Sequence, residues 1–263
     1  MDTEYLLNIK TIQAATFKQV IDALKEILMD VNLEIDETGI KIVAMDNTHI
    51  VLIHLKLDAD KFEIYECAKK TYVGINMLRL HALIKTITNN DILSIYIKKD
   101  DPNHLGITIE NNDKNYKTNY KLSVLDIDVL NLDIPPVDFH TIINMPSNYL
   151  QKIIRDMNNL SDFVEIRNIN KQLVFGCKGD FCNQETIISD NDNGVQNITS
   201  KVTDEIVQGF FHLRYLVMFT KCTNLCTTVE MYLKNDYPLI VKYSVASLGD
   251  LKLCLAPSNN EIM

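Results

Sequence analysis

The chain has 263 residues, 46% of them hydrophobic, and its 26 Lys and Arg against 35 Asp and Glu give a net charge of −9. This length and apolar content allow one large globular domain or two smaller ones. No run approaches the about 18 uncharged apolar residues of a membrane span, and the N-terminus lacks the basic start and apolar core of a signal peptide. We therefore expect an intracellular protein without a membrane partner. The negative charge argues at first against nucleic-acid binding.

The N-terminal half alternates helical and strand periodicity. Residues 14–29 have the period of an amphipathic helix, and short alternating runs follow, the last being IVLIHLKL at 50–57. A second helical pattern at 76–88 precedes two more alternating runs, ILSIYIKKD and LGITIEN. The order is therefore a helix followed by antiparallel strands, twice.

The segment 121–138 between the two halves differs from an ordinary polar linker. In SVLDIDVLNLDIPP, at 123–136, large aliphatic residues alternate with acids, as in a half-buried strand, and two prolines then exclude further ladder pairing. We interpret this segment as an extended connector between an N-terminal domain, 1–120, and a C-terminal domain, 139–263.

The C-terminal half repeats the same order. Helical patterns at 147–158 and 211–222 each lead into two alternating runs, and Ser147, which follows Pro146, is the predicted N-cap of the third helix. Because no strand–helix–strand parallel pattern occurs, we predict an α+β fold of two similar domains, each with two helices and antiparallel sheets.

The predicted helices are basic although the chain is acidic. Their only acids are Asp22, Glu26 and Asp156, whereas their basic residues are Lys18, Lys25, Arg79, Lys85, Lys152, Arg155, Arg214 and Lys221. Such segregation favours a surface that attracts a polyanion, although helix faces solvated by Lys and Arg are the alternative. Because no groove-reading helix or aromatic stacking strand is evident, we expect contact with duplex phosphates that is independent of sequence.

The sequence also contains residues typical of two other kinds of site. Asp126 and Asp128 in LDIDVL resemble the paired aspartates of phosphotransferases that use magnesium, but those enzymes need a parallel sheet around the pair. The six cysteines contain no CxxC pair, so buried free thiols are expected rather than zinc ligands. We predict no cofactor, no metal site and no enzymatic activity.

Seven stretches follow one another along the chain in a familiar order: IVAMDNTHIVLIHLKL, VGIN, VLDIDVLNLDIPP, INMPSNYLQKIIRDM, LRYLVMFTK, PLIVKY and LKLCLAP. In these stretches, and over essentially its whole length, the chain resembles the proliferating cell nuclear antigen family of DNA sliding clamps. The resemblance implies a homotrimeric ring around duplex DNA that tethers DNA polymerase, the clamp loader and repair proteins. It also implies a role in DNA replication and repair, in the nucleus or at a site of viral DNA replication.

The resemblance implies three sets of site residues. The family's DNA-facing bases match all of the basic residues above except Arg79, while Gln19 and Ala82 stand where relatives often have Lys. The pocket for a partner peptide with a Gln and a hydrophobic-aromatic anchor matches Met45, His49, Ile50, Leu132, Ile134, Pro238, Cys254, Ala256 and Pro257, with Cys254 in place of an aromatic. The subunit-pairing strands match about 115–122 and 181–189, including Tyr120, Leu122, Phe181 and Ile187. The family's modified lysine falls at Asn170, so that regulation is not expected here.

Overall fold

The structure, a computed structural model, describes residues 4–129, 137–169, 172–189, 197–200 and 206–258. The described residues divide into two units. Unit 1 takes up the ranges Met1–Ala44, His54–Leu132 and Val245–Leu251, and unit 2 the ranges Met45–Ile53, Asp133–Ser244 and Lys252–Met263. Three residues named above, Leu132, Ile134 and Asn170, lie outside the described residues.

The first half of the chain contains helices α1 (Ala14–Leu24) and α2 (Met77–Ile84). Its strands are β1 (Tyr5–Thr11), β2 (Asp30–Asp36), β3 (Gly39–Met45), β4 (Val51–Asp58), β5 (Ile64–Cys67), β6 (Thr71–Asn76), β7 (Ile92–Lys98), β8 (Asp101–Asn111) and β9 (Tyr116–Ser123). One sheet has the order β5-β1-β7-β8-β9, and β2 pairs with both β3 and β6. Alternate residues of β2, β4 and β7 are buried, because one face of each strand covers the core.

The second half contains helices α3 (Ser147–Asn158) and α4 (Leu213–Phe219), the latter continued by a 3-10 turn at Thr220–Leu225. Its strands are β10 (Thr141–Pro146), β11 (Phe163–Ile169), β12 (Gln172–Lys178), β13 (Asn183–Ser189), β14 (Asn197–Ser200), β15 (Val207–His212), β16 (Thr228–Leu233), β17 (Leu239–Val245) and β18 (Gly249–Leu255). One sheet has the order β13-β12-β11-β15, and β14, β10, β16, β17 and β18 are neighbours in another.

The four repeats exchange their first strands in pairs. Among the described residues, each helix follows one leading strand, and it precedes four further strands after α1 and α3 but three after α2 and α4. The leading strands were not predicted from the sequence. In unit 1, β1 pairs with β7 of the second repeat, while β6 pairs with β2 of the first. In unit 2, β10 pairs with β16 and β15 with β11. Each unit is therefore two interlocked repeats.

The helices contact one another in pairs, α1 with α2 and α3 with α4. On α3 the buried face includes Leu150, Ile153, Ile154 and Met157. Each such side chain contributes about 1.5–3 kcal/mol of hydrophobic stabilisation when fully buried. This burial fixes which face of α3 remains in contact with solvent.

Three of the four predicted helices have wrong bounds. α1 ends at Leu24 rather than 29, because the following residues form a turn in which the amides of Ile27 and Leu28 both donate to the Leu24 carbonyl. α2 is shorter than 76–88 at both ends, and Asn76 is its N-cap, accepting from the Arg79 amide. α4 starts at 213 rather than 211, because the two preceding residues belong to β15.

The predicted N-cap role of Ser147 is also wrong. Pro146 occupies the cap position, and Ser147 is the first helical residue. The buried Ser147 hydroxyl donates instead to the carbonyl of Cys226, at 2.6 Å. Since Cys226 lies far along the chain, this bond ties the start of α3 to the segment before β16.

The α+β class, with two helices and antiparallel sheets in each half, is confirmed. Among the described helices, none is long and apolar enough to cross a membrane. None of the six cysteines, all of which are described, forms a disulfide. Cys177, Cys222 and Cys254 are buried as expected, but Cys67 and Cys226 are only half-buried and Cys182 is exposed.

Candidate functional site

The basic residues of α1 and α2 differ in their availability. Arg79, Ala82 and Lys85 are exposed on or directly after α2, and Gln19 is exposed on α1. Lys18 is half-buried, and its Nζ donates to the carbonyl of Ile87 at 3.0 Å. Only part of the predicted basic set in unit 1 is therefore free to meet a ligand.

Lys25 belongs to a charged cluster that the sequence did not reveal. Its Nζ lies 2.5 Å from Asp22 Oδ1 and 3.3 Å from His81 Nε2, and His81 Nε2 is 3.0 Å from the same carboxylate oxygen. The hydrogen bond from Lys25 holds the pKa of Asp22 below its ordinary value, with a smaller contribution from His81 and against the effect of burial. The carboxylate thus neutralises charge on this helix pair.

The basic residues of α3 and α4 lie on solvent-facing positions. Lys152 and Arg155 are exposed on the side of α3 opposite to its buried residues. Arg214 at the start of α4 and Lys221 in the 3-10 turn are exposed as well. The guanidinium of Arg214 lies over the ring of Tyr215, 4.5 Å from its centroid, and donates to the Tyr215 hydroxyl at 2.6 Å.

The loop between β3 and β4, residues 46–50, is organised by the carboxylate of Asp46 and is called the Asp46 loop below. Asp46 Oδ1 accepts hydrogen bonds from the amides of Ile50, at 2.9 Å, and Val51, at 2.8 Å. The Thr48 hydroxyl donates to Asp46 Oδ2, and His49 adopts a positive φ of 58°. Burial raises the pKa of Asp46, but the hydrogen bonds from Thr48, Val51 and Ile50 outweigh it, so the pKa is lowered overall.

Several predicted pocket residues come together around this loop. The carbonyl of Ile50 accepts the amide of Ala256 at 3.0 Å, which brings Met45, His49 and Ile50 to the segment that contains Pro257. Pro238 directly precedes β17, and the short turn from β17 to β18 brings the start of β17 beside the end of β18. These residues are exposed or half-exposed.

Cys254 differs from the other predicted pocket residues because it is buried. Burial raises the pKa of its thiol to about 11, so the side chain is a neutral, small apolar group. It therefore lies beneath the surface that the half-exposed Ala256 and Pro257 present.

The predicted subunit-pairing residues lie on or beside two sheet edges. Within the described residues, β9 ends the five-stranded sheet and β13 ends the four-stranded sheet. Tyr120 and Leu122 alternate as half-exposed residues on β9. Ile187 on β13 is 56% exposed, and Phe181, which precedes that strand, is 78% exposed. Large apolar side chains beside unpaired backbone are typical of surfaces that pair with another chain.

The segment after β9 is anchored on unit 1. The amide of Leu125 donates to the Gly74 carbonyl at 2.8 Å, and the Asn32 side-chain amide donates to the Ile127 carbonyl at 3.0 Å. Asp126 and Asp128 are exposed on this segment. They lie outside the five-stranded sheet, whose paired strands are antiparallel, so the parallel sheet that the phosphotransferase alternative needs does not surround them.

Nearly the whole chain matches one protein family. The model for the N-terminal domain of proliferating cell nuclear antigen matches residues 6–131, and that for its C-terminal domain matches residues 133–258. A protein of Paramecium bursaria Chlorella virus 1 named "Probable DNA polymerase sliding clamp 1" is 39% identical over 260 residues, covering 97% of this chain and 98% of the relative. The "Proliferating cell nuclear antigen" of Chaetomium thermophilum (strain DSM 1495 / CBS 144.50 / IMI 039719) is 32% identical over 255 residues, covering 96% and 98%. With its four strand-exchanged repeats and two matching domains, the chain belongs to the proliferating cell nuclear antigen family.

Proposed function

We propose that the protein is a DNA sliding clamp and polymerase processivity factor, a homotrimeric ring that encircles duplex DNA. The observation that carries this proposal is the 39% identity, over 97% of the chain, to a relative named as a DNA polymerase sliding clamp. A ring linked topologically to DNA needs no enzymatic activity and no cofactor. We propose that it acts where DNA is replicated, in the nucleus or at a site of viral replication.

The DNA-facing surface is the solvent side of the helices. Arg79, Lys85, Lys152, Arg155 and Lys221 are exposed there, and their flexible cations suit phosphates rather than base edges. Contacts of this kind are weak, salt-dependent and independent of sequence, and a sliding protein requires those properties. The acidic remainder of the chain repels DNA and so favours its location at the helices.

The ring closes through the two sheet edges described above. β9 in unit 1 and β13 in unit 2 are different surfaces, so pairing the β9 of one copy with the β13 of the next is a head-to-tail contact. Such contacts form rings when the rotation between copies closes. Pairing would bury the exposed Phe181 and Ile187 and satisfy the backbone of both edges.

The tethering function uses the surface formed by the Asp46 loop and the Ala256–Pro257 segment. Its half-exposed Met45, Ile50 and Pro238 provide apolar contact for a short partner peptide. We assign Leu132 and Ile134 of the connector, with boundaries at 121–138, to the same pocket. DNA polymerase and clamp loader subunits with a Gln and a hydrophobic-aromatic anchor are the proposed ligands.

A test of the ring uses topology rather than affinity. The protein is incubated with a linear duplex, the ends are ligated, and the DNA is washed at a salt concentration that removes phosphate-bound protein. A ring threaded onto the duplex is expected to remain on the ligated circle and to leave when one restriction site is cut. Equal loss from circular and linear DNA would contradict the ring and favour a clamp-like accessory subunit that works as a monomer or dimer.

A further inference from the structure

A continuous series of hydrogen bonds joins the exposed Arg214 to the Asp46 loop. Arg214 donates to the Tyr215 hydroxyl at 2.6 Å, and the Tyr215 and Thr48 hydroxyl oxygens are 2.8 Å apart. Thr48 in turn bonds to the carboxylate of Asp46. Tyr215 and Thr48 are 167 positions apart in the sequence, yet all four residues belong to unit 2.

The donors of this series all point in one direction. The hydrogen of Thr48 is directed to the Asp46 carboxylate, so the Tyr215 hydroxyl must donate to the Thr48 oxygen. The Tyr215 oxygen accepts from the Arg214 guanidinium, which has only donors. A cation at one end and an anion at the other polarise both hydroxyls, so each bond strengthens the next.

The carboxylate at the end of the series controls the shape of the Asp46 loop. Asp46 Oδ1 holds the amides of Ile50 and Val51, and the Ile50 carbonyl holds the amide of Ala256. His49 has a positive φ, which a residue with a Cβ adopts only when its surroundings enforce it. A change in the bonds to Asp46 therefore reaches the residues that present the peptide surface.

The guanidinium end is open to a competing ligand. Arg214 is exposed, and a phosphate offers it two oxygens in the geometry that suits a guanidinium. A phosphate that takes these donors removes the charged donor from the Tyr215 hydroxyl. The buried Tyr215 ring stays in place, so the change is confined to the hydrogen-bond series.

We propose that Tyr215 is a positioning residue that couples phosphate binding at Arg214 to peptide docking at the Asp46 loop. The coupling is negative, because phosphate binding weakens the bonds that hold the loop in its docking conformation. By reciprocity, a bound peptide weakens the grip on DNA by the same factor and leaves the clamp freer to slide. This inference rests on the proposed function, since it needs both ligands.

The test measures the affinity of a fluorescein-labelled peptide, which contains a Gln and a hydrophobic-aromatic anchor, with and without saturating duplex DNA. For the wild-type protein we expect the Kd of the peptide to rise about fivefold with DNA, at the low end of known couplings. Tyr215→Phe keeps the ring and removes only the hydroxyl, and its Kd is expected to be the same in both conditions. Thr48→Val is expected to behave likewise, and the double variant to show no further effect.

Lys221→Ala is the matched control, because Lys221 is another exposed base near α4 and has no bond to Tyr215 among the described contacts. The Lys221→Ala variant is expected to need more DNA for saturation, while its peptide Kd still rises about fivefold when DNA is bound. No change in the wild-type Kd with DNA, or a change that survives in Tyr215→Phe, overturns the coupling and leaves the clamp function intact. Failure of the wild-type protein to bind peptide or DNA at all overturns the proposed function and the coupling together.

Discussion

At the scale of single residues, the acidic side chains that neutralise the basic surface affect DNA binding as much as the basic side chains do. Asp22 engages both Lys25 and His81, so two groups on the proposed DNA-facing helices are already paired in the free protein. A phosphate that approaches Lys25 must displace a carboxylate 2.5 Å away. The number of basic side chains in the sequence therefore overstates the positive charge that DNA would meet.

Asp22→Asn is expected to strengthen DNA binding. The change removes the negative partner of Lys25 and frees one phosphate contact, so affinity should rise about two- to fivefold at low salt. The slope of log K against log salt should steepen by about 0.9, the value for one additional phosphate contact. Both quantities are measured by anisotropy with a labelled duplex.

Glu26→Gln is the control for Asp22→Asn, because Glu26 also lies beside Lys25 but at 3.9 Å, the longer of the two separations. It removes the same charge without releasing the short bond from Lys25 to Asp22. Equal effects of the two substitutions would mean that net charge alone, and not the pairing of Lys25, determines the affinity.

At the scale of elements, the segment after β9 depends on a close approach at Gly74. A Cβ built on Gly74 would lie 2.2 Å from the Leu125 carbonyl oxygen, a distance that requires the backbone to move. The absence of a side chain there allows the segment to add to β6 through the bond between Leu125 and Gly74. Asp126 and Asp128 of LDIDVL are thereby held in an extended connector.

Gly74→Ala is expected to destabilise unit 1 by about 1–3 kcal/mol, the usual cost of overpacking. The measurement is the urea midpoint of unfolding, with limited proteolysis near residue 125 as a report on the connector. Gly176→Ala is the matched control, since a Cβ at that strand glycine meets nothing closer than 3.8 Å. Equal midpoints for the two variants would mean that the connector shifts without loss of free energy.

At the scale of the whole molecule, the proposed assembly depends on the apolar residues beside β13. Phe181 and Ile187 are among the most exposed large hydrophobic residues of the described chain. Their burial in a subunit contact would supply much of the hydrophobic free energy that closes the ring. A monomer would leave both in water beside the outer edge of β13.

A variant with Phe181→Asp and Ile187→Asp is expected to be monomeric. Light scattering should give about 90 kDa for the wild-type protein, three times 30.1 kDa, and 30.1 kDa for the variant. Leu78→Asp changes another exposed apolar residue, 54% accessible on α2, and is expected to leave the mass at the trimer value. A trimeric double variant would contradict the role assigned to β13.

The sequence predicted what local patterns determine and missed what distant contacts determine. The amphipathic period gave α3 its observed bounds, 147–158, because Leu150, Ile153, Ile154 and Met157 recur at the spacing of one buried helix face. The same pattern failed at 211–212, where pairing with β11 extends β15 up to the first residue of α4. Ser147 met a standard capping pattern, yet its hydroxyl found a carbonyl 79 positions away.

The candidate site likewise contains residues that local patterns predict and contacts that only the fold creates. The exposed Lys and Arg residues of α2, α3 and α4 were predicted from composition and helical spacing, since helix faces can be inferred from sequence. The pairing of Asp22 with His81, and the series from Arg214 through Tyr215 to Thr48, join elements that only the fold brings together. The resemblance to a family supplied the pocket residues, which have no local pattern of their own.

The exchange of leading strands between repeats has a consequence for how the protein is made. β1 leaves the ribosome before its partner β7, which pairs with it through residues such as Leu7 with Ile97 about 90 positions later. At translation rates of about 5–20 residues per second, β1 waits about 5–20 s for that partner. During this time its alternating apolar side chains are a target for chaperones and for pairing with other nascent chains. Slower synthesis of the residues between β1 and β7 would lengthen this vulnerable period, while a chain halted before β7 could not complete the five-stranded sheet.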